Sequence, residues 1–440
     1  MRRHRMVVRS VPGLEGLVRT ELLALQVARA RVASPGVVIA EHVTTRQLYA
    51  ANAFLRTASR VLLPLCEFKA RSFIDLELAV KRLRAEHIDP WLVPHLPLGV
   101  VVRASGSPAL YHTSAIRQRL CKFLERPMAD VADAGSARAS QPESQRLEVV
   151  VRGERVSLFV DASGGPLHER SWRQGGAKMP MKVSVAAGLL MSSGWLPNSF
   201  SNASAAGGGG APRALLDPFC GSGAIAIEAA CLALGSPPHC LQERYFALQQ
   251  WPAFEPGVWA SVRGEATERT EAAERRRDKL RPPTIVGSDR DAGAIATAQM
   301  NAARAGVSDL IDFHVAPIST LRPPPLPPTA HTAGSAPSVP TARGLVLTNP
   351  PWGHRSAGSG DLRNLYARLG QVVAKHCPSY SLAILVDDKR LARHAGGTRS
   401  QLKVTIGGKP VWLMVRDADE LMTPREVREG CSRPPEVPLK

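Results

Sequence analysis

The stretch that decides the fold is Leu216-Asp217-Pro218-Phe219-Cys220-Gly221-Ser222-Gly223. An apolar run ends at Asp217, and a helical pattern opens directly after the glycines, at residues 224–230. Gly221 and Gly223 carry no Cβ, so the backbone can adopt turn conformations that other residues resist and can approach a ligand closely. The stretch predicts a strand, turn and helix that bind a nucleotide-like cofactor, although a dinucleotide fold or a simple tight turn would use Gly-x-Gly as well.

The sequence from residue 213 onward alternates apolar, β-rich runs with helical patterns. This alternation predicts an α/β domain whose parallel sheet is covered on both faces. The predicted strands are 214–217, 284–289, 311–315, 344–348 and 382–387, and a closing hairpin is predicted over 404–415. The earlier part has an α+β pattern, with strands predicted at 6–9, 100–103, 147–151 and 157–161 and a helix over 14–25, so we expect it to be a separate module.

Composition narrows the class of protein. The 440 residues carry a net charge of +18, which favours a polyanionic partner such as nucleic acid. The seven cysteines show no Cys-x-x-Cys spacing, so neither a disulfide framework nor a metal site is predicted. No apolar run approaches the ~20 residues that a membrane helix needs, so a membrane partner is not expected. The basic residues 1–5 leave open whether this intracellular protein is cytoplasmic or mitochondrial.

Low-complexity and charged segments interrupt these patterns. Residues 132–144, 199–212 and 323–341 are rich in Gly, Ser, Ala and Pro and are predicted to be loops or linkers. Residues 236–283 form a predicted insertion whose end, 264–280, has the mixed charges of a solvated helix. Its Arg275-Arg276-Arg277 run could contact RNA, but a solvated helix face is favoured.

Asp289 is the predicted partner of a cofactor ribose, because it ends the second strand of the parallel sheet. It follows Asp217 by far more than the ~20 residues of the usual fingerprint, so residues 236–283 must be looped out of the sheet. Asp291 competes for the role but is more simply an N-cap, and Asp289 could itself be a turn acid. Cys220 is interpreted as a small packing residue of the cofactor loop.

Asn349-Pro350-Pro351-Trp352 follows the fourth strand and has the chemistry to present an aromatic amino group for methylation. An Asn oxygen and a backbone carbonyl can each accept one N–H and aim the nitrogen lone pair, while prolines hold those acceptors still. Trp352 offers a face on which a base can stack. An ordinary Pro-Pro loop is the alternative. Arg355, shortly after, is a candidate phosphate or base contact.

These motifs together resemble the THUMP-containing RNA guanine-N2 methyltransferases, a family with bacterial large-subunit rRNA enzymes and archaeal and eukaryotic tRNA enzymes. The resemblance is carried by residues 12–15, 110–113, 161–164, 167–173, 180–187, 217–230, 349–355 and 365–366. It implies a Rossmann-like class I methyltransferase domain preceded by an α+β ferredoxin-like/THUMP module.

The resemblance also implies boundaries and ligands. It divides the chain into a ferredoxin-like segment (1–50), a THUMP-like RNA-binding domain (51–165), a connecting segment and linker (166–212), the methyltransferase domain (213–420) and a tail (421–440). S-adenosylmethionine would contact Asp217, Cys220, Gly221 and Gly223, with Asp289 on its ribose, and residues 349–352 would hold guanine. Arg170, Arg173 and Lys182 would lie near RNA or cofactor, although packing would explain them equally well.

The chain departs from the family pattern at Pro317, where an acid usually follows the third strand. Two functions therefore stay open: an enzyme that forms N2-methylguanosine in tRNA or rRNA, and a catalytically inactive RNA-binding ribosome-assembly factor on the same fold. Methylation of adenine N6 or of a glutamine amide is a third reading of the same loop. RNA is the expected partner, with a ribosome-assembly intermediate or a small activating protein as further candidates.

Overall fold

Two seven-stranded sheets form the centres of two modules in the computed structural model. The structure describes residues 3–130, 143–173, 181–195, 214–239, 241, 243–279, 285–323, 344–352, 362–397 and 399–418. Within these residues, each helix is too short or too polar to span a lipid bilayer.

The N-terminal sheet has the strand order β2-β3-β1-β4-β7-β6-β5 and is antiparallel except for the β5–β6 pair. Its strands are β1 Arg3–Ser10, β2 Ala30–Ser34, β3 Val37–Thr44, β4 Ala58–Lys69, β5 Leu98–Ser105, β6 Gln145–Arg152 and β7 Arg155–Asp161. Its helices are α1 Glu15–Ala24, α2 Thr45–Phe54, α3 Phe73–Leu83 and α4 Thr113–Phe123.

This sheet runs through both predicted N-terminal segments, because β1 pairs with β4. The predicted division at residue 50 falls inside α2, which Thr44 and Gln47 start with a reciprocal capping box. A helix and a continuous sheet therefore cross that boundary. The other boundaries stay predictions.

The C-terminal sheet has the strand order β10-β9-β8-β11-β12-β14-β13. Its strands are β8 Ala214–Asp217, β9 Ile285–Asp289, β10 Ile311–Val315, β11 Gly344–Thr348, β12 Tyr380–Val386, β13 Arg399–Ile406 and β14 Lys409–Arg416. Its helices are α5 Val183–Ser192, α6 Ala224–Leu234, α7 Pro256–Lys279, α8 Ala292–Arg304, α9 Leu362–His376 and α10 Lys389–His394. The first five strands pair in parallel, and β14 lies antiparallel between β12 and β13.

The order of the parallel strands reverses between β8 and β11, and this position is where open α/β sheets bind ligands. Strands β8, β11 and β12 are buried along their whole length, as expected of a sheet covered on both faces. Every strand predicted after residue 213 is present, so the α/β fold prediction is confirmed.

The segment predicted as an insertion is looped out of the sheet, as expected, but much of it does not face solvent. Phe246, Leu248, Trp251, Trp259 and Val262 all pack in the hydrophobic core of the N-terminal module. Helix α7 begins earlier than predicted, and its later turns are largely exposed. The segment therefore links the two modules.

A second contact between the modules involves the turn before α1. The backbone N–H of Thr405 in β13 donates to the carbonyl of Pro12 at 2.9 Å. Gly13 has a φ of 105°, and a Cβ there would overlap the Lys403 carbonyl, so only glycine fits this approach. Leu14 packs against Gly188 of α5.

Candidate functional site

The glycine-rich turn lies between β8 and α6, and its two glycines are required for different reasons. Both have positive φ, 51° at Gly221 and 83° at Gly223. A Cβ on Gly221 would meet no heavy atom within 4 Å, so this glycine borders open space. A Cβ on Gly223 would lie 3.1 Å from side chains that include Phe313. Gly221 therefore leaves room for a ligand, whereas Gly223 permits close packing.

Asp289 lies directly beside this turn at the end of β9. Its Oδ2 accepts the backbone N–H of Gly221 at 3.1 Å, and its Oδ1 accepts that of Asp291 at 3.0 Å. A carboxylate has about four acceptor positions, so capacity for ribose hydroxyls is left. Asp291 caps α8 by accepting the N–H of Gly293 at 2.9 Å, as the N-cap interpretation predicts.

Asp217 joins the cofactor turn to the neighbouring strand. Its side chain is 2% exposed, and its Oδ1 accepts the hydroxyl of Thr348 at 2.6 Å and the N–H of Phe219 at 3.3 Å. Burial, with Asp289 nearby, raises the pKa of Asp217 to about 7. The sequence analysis assigned no role to Thr348. The signal that could have found it is a hydroxyl residue at the end of an otherwise apolar strand.

Cys220 is buried, and its backbone N–H donates to the Ser288 carbonyl at 3.0 Å. Burial raises the pKa of its thiol, which keeps it protonated. These features agree with the packing interpretation. The turn and Asp289 together fit a nucleoside cofactor, since they offer an open glycine and remaining carboxylate acceptor positions.

The predicted acceptor loop leaves β11 at the same edge of the sheet. Strand β11 pairs with β8, so Asn349 begins its loop next to the end of β8. The indole N–H of Trp352 donates to Asn349 Oδ1 at 2.6 Å. The hydroxyl of Tyr366, a fully buried residue of α9, donates to the Pro351 carbonyl at 3.2 Å. The loop is thus held both by a contact with α9 and by a hydrogen bond between two of its own side chains.

The four predicted RNA contacts have different surroundings. Arg170 is 3% exposed, donates to the Arg56 carbonyl at 2.9 Å and lies 3.7 Å from Glu228, which contradicts an RNA contact. Arg173 is half-buried and donates to the Met181 carbonyl at 2.5 Å. Lys182 is exposed just before α5 and stays a candidate. Arg355 lies outside the described residues.

The Arg275-Arg276-Arg277 run of α7 is engaged within the protein. Arg276 donates to the Leu234 carbonyl at 2.7 Å, and Arg277 donates to Asp309 at 2.6 Å. Arg275 pairs with Glu271 of the same helix at 3.6 Å. Arg275 and Arg276 are nevertheless exposed, which agrees with the predicted solvated helix face.

Pro317 follows β10 beside the cofactor turn. The N–H of Ala316 donates to the Asp289 carbonyl at 2.9 Å, so this loop passes next to the predicted ribose partner. Pro317 then starts a short 3₁₀ helix, Ile318–Thr320, which carries no acid. The position where the resemblance predicts an acid therefore lies beside the predicted ribose partner.

Comparisons with known proteins agree with this architecture. Residues 170–407 match the family model described as RMKL-like, methyltransferase domain (UPF0020), and residues 5–62 match the RlmL ferredoxin-like domain. The ribosomal RNA large subunit methyltransferase K/L of Marinobacter nauticus is 31% identical over 97% of this chain and 54% of its own length. The protein of the same name from Syntrophotalea carbinolica is 29% identical over 87% of this chain and 49% of its own length. The chain thus spans about half the length of these relatives.

A solved structure supports the fold. The putative methyltransferase SMU.472, crystallised as a complex with SAH, has a TM-score of 0.70 at 22% identity and covers 95% of this chain and 99% of its own. The matches confirm the predicted resemblance and the fold class.

Proposed function

This chain belongs to the UPF0020 family of RMKL-like methyltransferase domains, and we propose that it transfers a methyl group from S-adenosylmethionine to the exocyclic amino group of a guanine in RNA. The observation that carries the proposal is the bond between Thr348 and Asp217, which joins the acceptor loop to the cofactor turn. A base held by residues 349–352 would therefore lie beside a cofactor bound over Gly221.

The chemistry needs the amino group of guanine to be held out of conjugation. Its lone pair is delocalised into the ring, so acceptors that take its N–H groups must turn it toward the methyl donor. Asn349 Oδ1 supplies one acceptor, and a backbone carbonyl of the rigid Pro350-Pro351 segment supplies the other. When bound, S-adenosylmethionine supplies a sulfonium methyl group, so that an N–C bond forms while the C–S electron pair stays on sulfur. The methylated nitrogen then loses one proton to solvent.

RNA capture is assigned to the N-terminal module and to the basic surface of the chain. The net charge of +18 favours association with polyanions, and phosphate contacts give such binding a steep salt dependence. The names of the two relatives favour ribosomal RNA over tRNA as substrate. We assign the THUMP-like RNA-binding role to the predicted domain 51–165, most of which follows the ferredoxin-like match. A ribosome-assembly intermediate and a small activating protein are candidate partners. The bacterial-type relatives favour the cytoplasm over a mitochondrion as the compartment.

One observation favours the inactive alternative: Pro317 lies beside the cofactor turn, at the position where the resemblance predicts an acid. A protein that binds RNA on this fold without cofactor affinity would show that departure. Retention of the complete Asn349-Pro350-Pro351-Trp352 loop supports the enzyme.

A transfer assay separates the two functions. The purified full chain is incubated with radiolabelled S-adenosylmethionine and either ribosomal RNA or tRNA, and labelled nucleosides are identified by mass spectrometry. The enzyme predicts label in N2-methylguanosine, whereas label in N6-methyladenosine would redirect the substrate assignment. RNA binding without transferred label, together with no saturable binding of S-adenosylhomocysteine in calorimetry, would contradict the proposal in favour of the inactive factor.

A further inference from the structure

We infer that Trp352 is a positioning residue as well as a stacking surface: its indole N–H holds the Asn349 amide so that Oδ1 faces the substrate amino group. The inference rests on the proposed function for the substrate, but its geometry can be tested without catalysis. The carrying observation is the 2.6 Å bond from Trp352 Nε1 to Asn349 Oδ1.

The chemistry of the indole makes this bond directional. A tryptophan Nε1–H can only donate, and of the two ends of an asparagine amide only the oxygen accepts. The last torsion of an asparagine side chain is soft and roughly two-fold, so an unrestrained amide can turn its NH₂ group toward the substrate. That orientation would bring two donors together. The indole bond therefore favours the productive orientation.

The other contacts of the loop do not fulfil this role. The Thr348–Asp217 bond fixes the end of β11, and the hydroxyl of Tyr366 fixes the Pro351 carbonyl. Both restrain the loop around Asn349 rather than its amide. In the described part of the chain, Trp352 is the residue whose donor contacts that amide.

The oxygen can serve both partners because an amide carbonyl has two lone pairs. One accepts the indole N–H, and the other accepts an N–H of the substrate. A phenylalanine at this position would keep an aromatic face for stacking and lose the donor. We therefore expect the indole N–H of Trp352, and not only its aromatic ring, to influence the rate of methyl transfer.

Trp352→Phe tests the role in the transfer assay. The variant should lower kcat about 3- to 10-fold, the effect of one lost hydrogen bond, and leave KM for RNA near the wild-type value because the stacking face persists. Trp352→Ala is the matched comparison and should lower kcat and also raise KM. In the background of Asn349→Ala, Trp352→Phe should cost nothing further, since the amide it positions is gone. Full additivity of the two changes would overturn the inference.

A direct measurement distinguishes failure of this inference from failure of the proposed function. The full chain is labelled with ¹⁵N-tryptophan, the Trp352 indole resonance is assigned with Trp352→Phe, and its hydrogen exchange is measured. Exchange should be slowed in the wild type and in Asn349→Asp, which keeps an acceptor, and should become fast in Asn349→Ala. An indole N–H that exchanges equally fast in the wild type and in Asn349→Ala overturns the inference even if the enzyme transfers methyl groups. A protected indole in a protein that transfers no label supports the bond and refutes the proposed function.

Discussion

Asp289 organises the cofactor side of the cleft at the scale of single residues. Its carboxylate accepts two backbone N–H groups, from Gly221 and from Asp291, so it fixes the glycine turn as well as offering acceptors to a ribose. Charged acceptors form stronger hydrogen bonds than neutral ones. The negative charge of Asp289 is therefore expected to contribute to cofactor affinity.

Asp289→Asn should weaken S-adenosylhomocysteine binding about tenfold or more, because the variant loses the negative charge and one of the two acceptor oxygens becomes an NH₂ donor. Calorimetric titration of the full chain measures this change. Asp291→Asn is the matched control, since its side chain caps α8 and an asparagine caps equally well, so its affinity should stay near the wild type. An equal loss of S-adenosylhomocysteine affinity in the two variants would contradict a specific role of Asp289 in cofactor binding.

The burial and the contacts of individual site residues could not be predicted from the sequence. Arg170 lies in a motif of the connecting segment, yet its surroundings come from Arg56 and Glu228, which are distant in the chain. Asn349 and Trp352 were predicted as site residues, but the bond between their side chains depends on the turn of the loop. The sequence therefore predicted which residues form the site. Their hydrogen-bonding partners became known only from the folded structure.

At the scale of elements, the contact between β8 and β11 brings the two functional loops together. Asp217 and Thr348 end these strands and share a buried hydrogen bond of 2.6 Å. The pKa of Asp217, raised by burial to about 7, lies above the ~3.9 of an unfolded chain. The folded state therefore binds a proton more tightly than the unfolded state, and stability from this group is present at low pH and lost as pH rises toward 7.

Asp217→Asn should remove this pH dependence, because an asparagine cannot ionise and still accepts the Thr348 hydroxyl. The free energy of unfolding of the variant relative to the wild type should rise between pH 4 and pH 7, by on the order of 1.4 kcal/mol per pH unit at most. Urea denaturation at several pH values measures it. A difference between variant and wild type that stays constant across this range would show that Asp217 titrates normally.

Strands were predictable where a short run ends in turn signals and were missed where a residue interrupts the pattern. Strands β8, β10 and β11 have the bounds that were predicted, since each is a short run ended by turn signals. Strand β4 was missed because Pro64 interrupts its pattern, and the pairing with β7 shifts register at that point. Helix α7 was predicted from its charges, but the burial of Trp259 depends on α2 of the other module.

At the scale of the whole molecule, a buried polar cluster joins the modules. Arg56, two residues after α2, donates to Glu228 of α6 at 2.8 Å, and both side chains are nearly inaccessible. Helix α6 starts at the cofactor turn, so the N-terminal module is connected to the cleft through this pair. Glu228 also lies 3.7 Å from the buried Arg170, so it is the shared carboxylate of two arginines. Removing one member of a buried ion cluster leaves the remaining charges poorly compensated.

Arg56→Met should therefore destabilise the full chain by about 3–5 kcal/mol. Combining it with Glu228→Gln should not recover that loss, because the buried Arg170, 3.7 Å from Glu228, would then lose its carboxylate partner. Chemical denaturation of the single and double variants measures both effects. A double variant that is as stable as the wild type would contradict the interpretation of Glu228 as the shared partner of both arginines.

Asn349→Ala tests the central claim most directly, because Asn349 is the proposed acceptor for the substrate amino group and most RNA affinity is expected from phosphate contacts elsewhere. The measurement is transfer of radiolabelled methyl groups from S-adenosylmethionine to ribosomal RNA, with N2-methylguanosine identified by mass spectrometry and RNA binding measured in parallel. We predict that the wild type forms labelled N2-methylguanosine and that the variant loses about 100-fold or more of the rate with little change in RNA affinity or folding. Equal rates in the variant and the wild type would contradict the account.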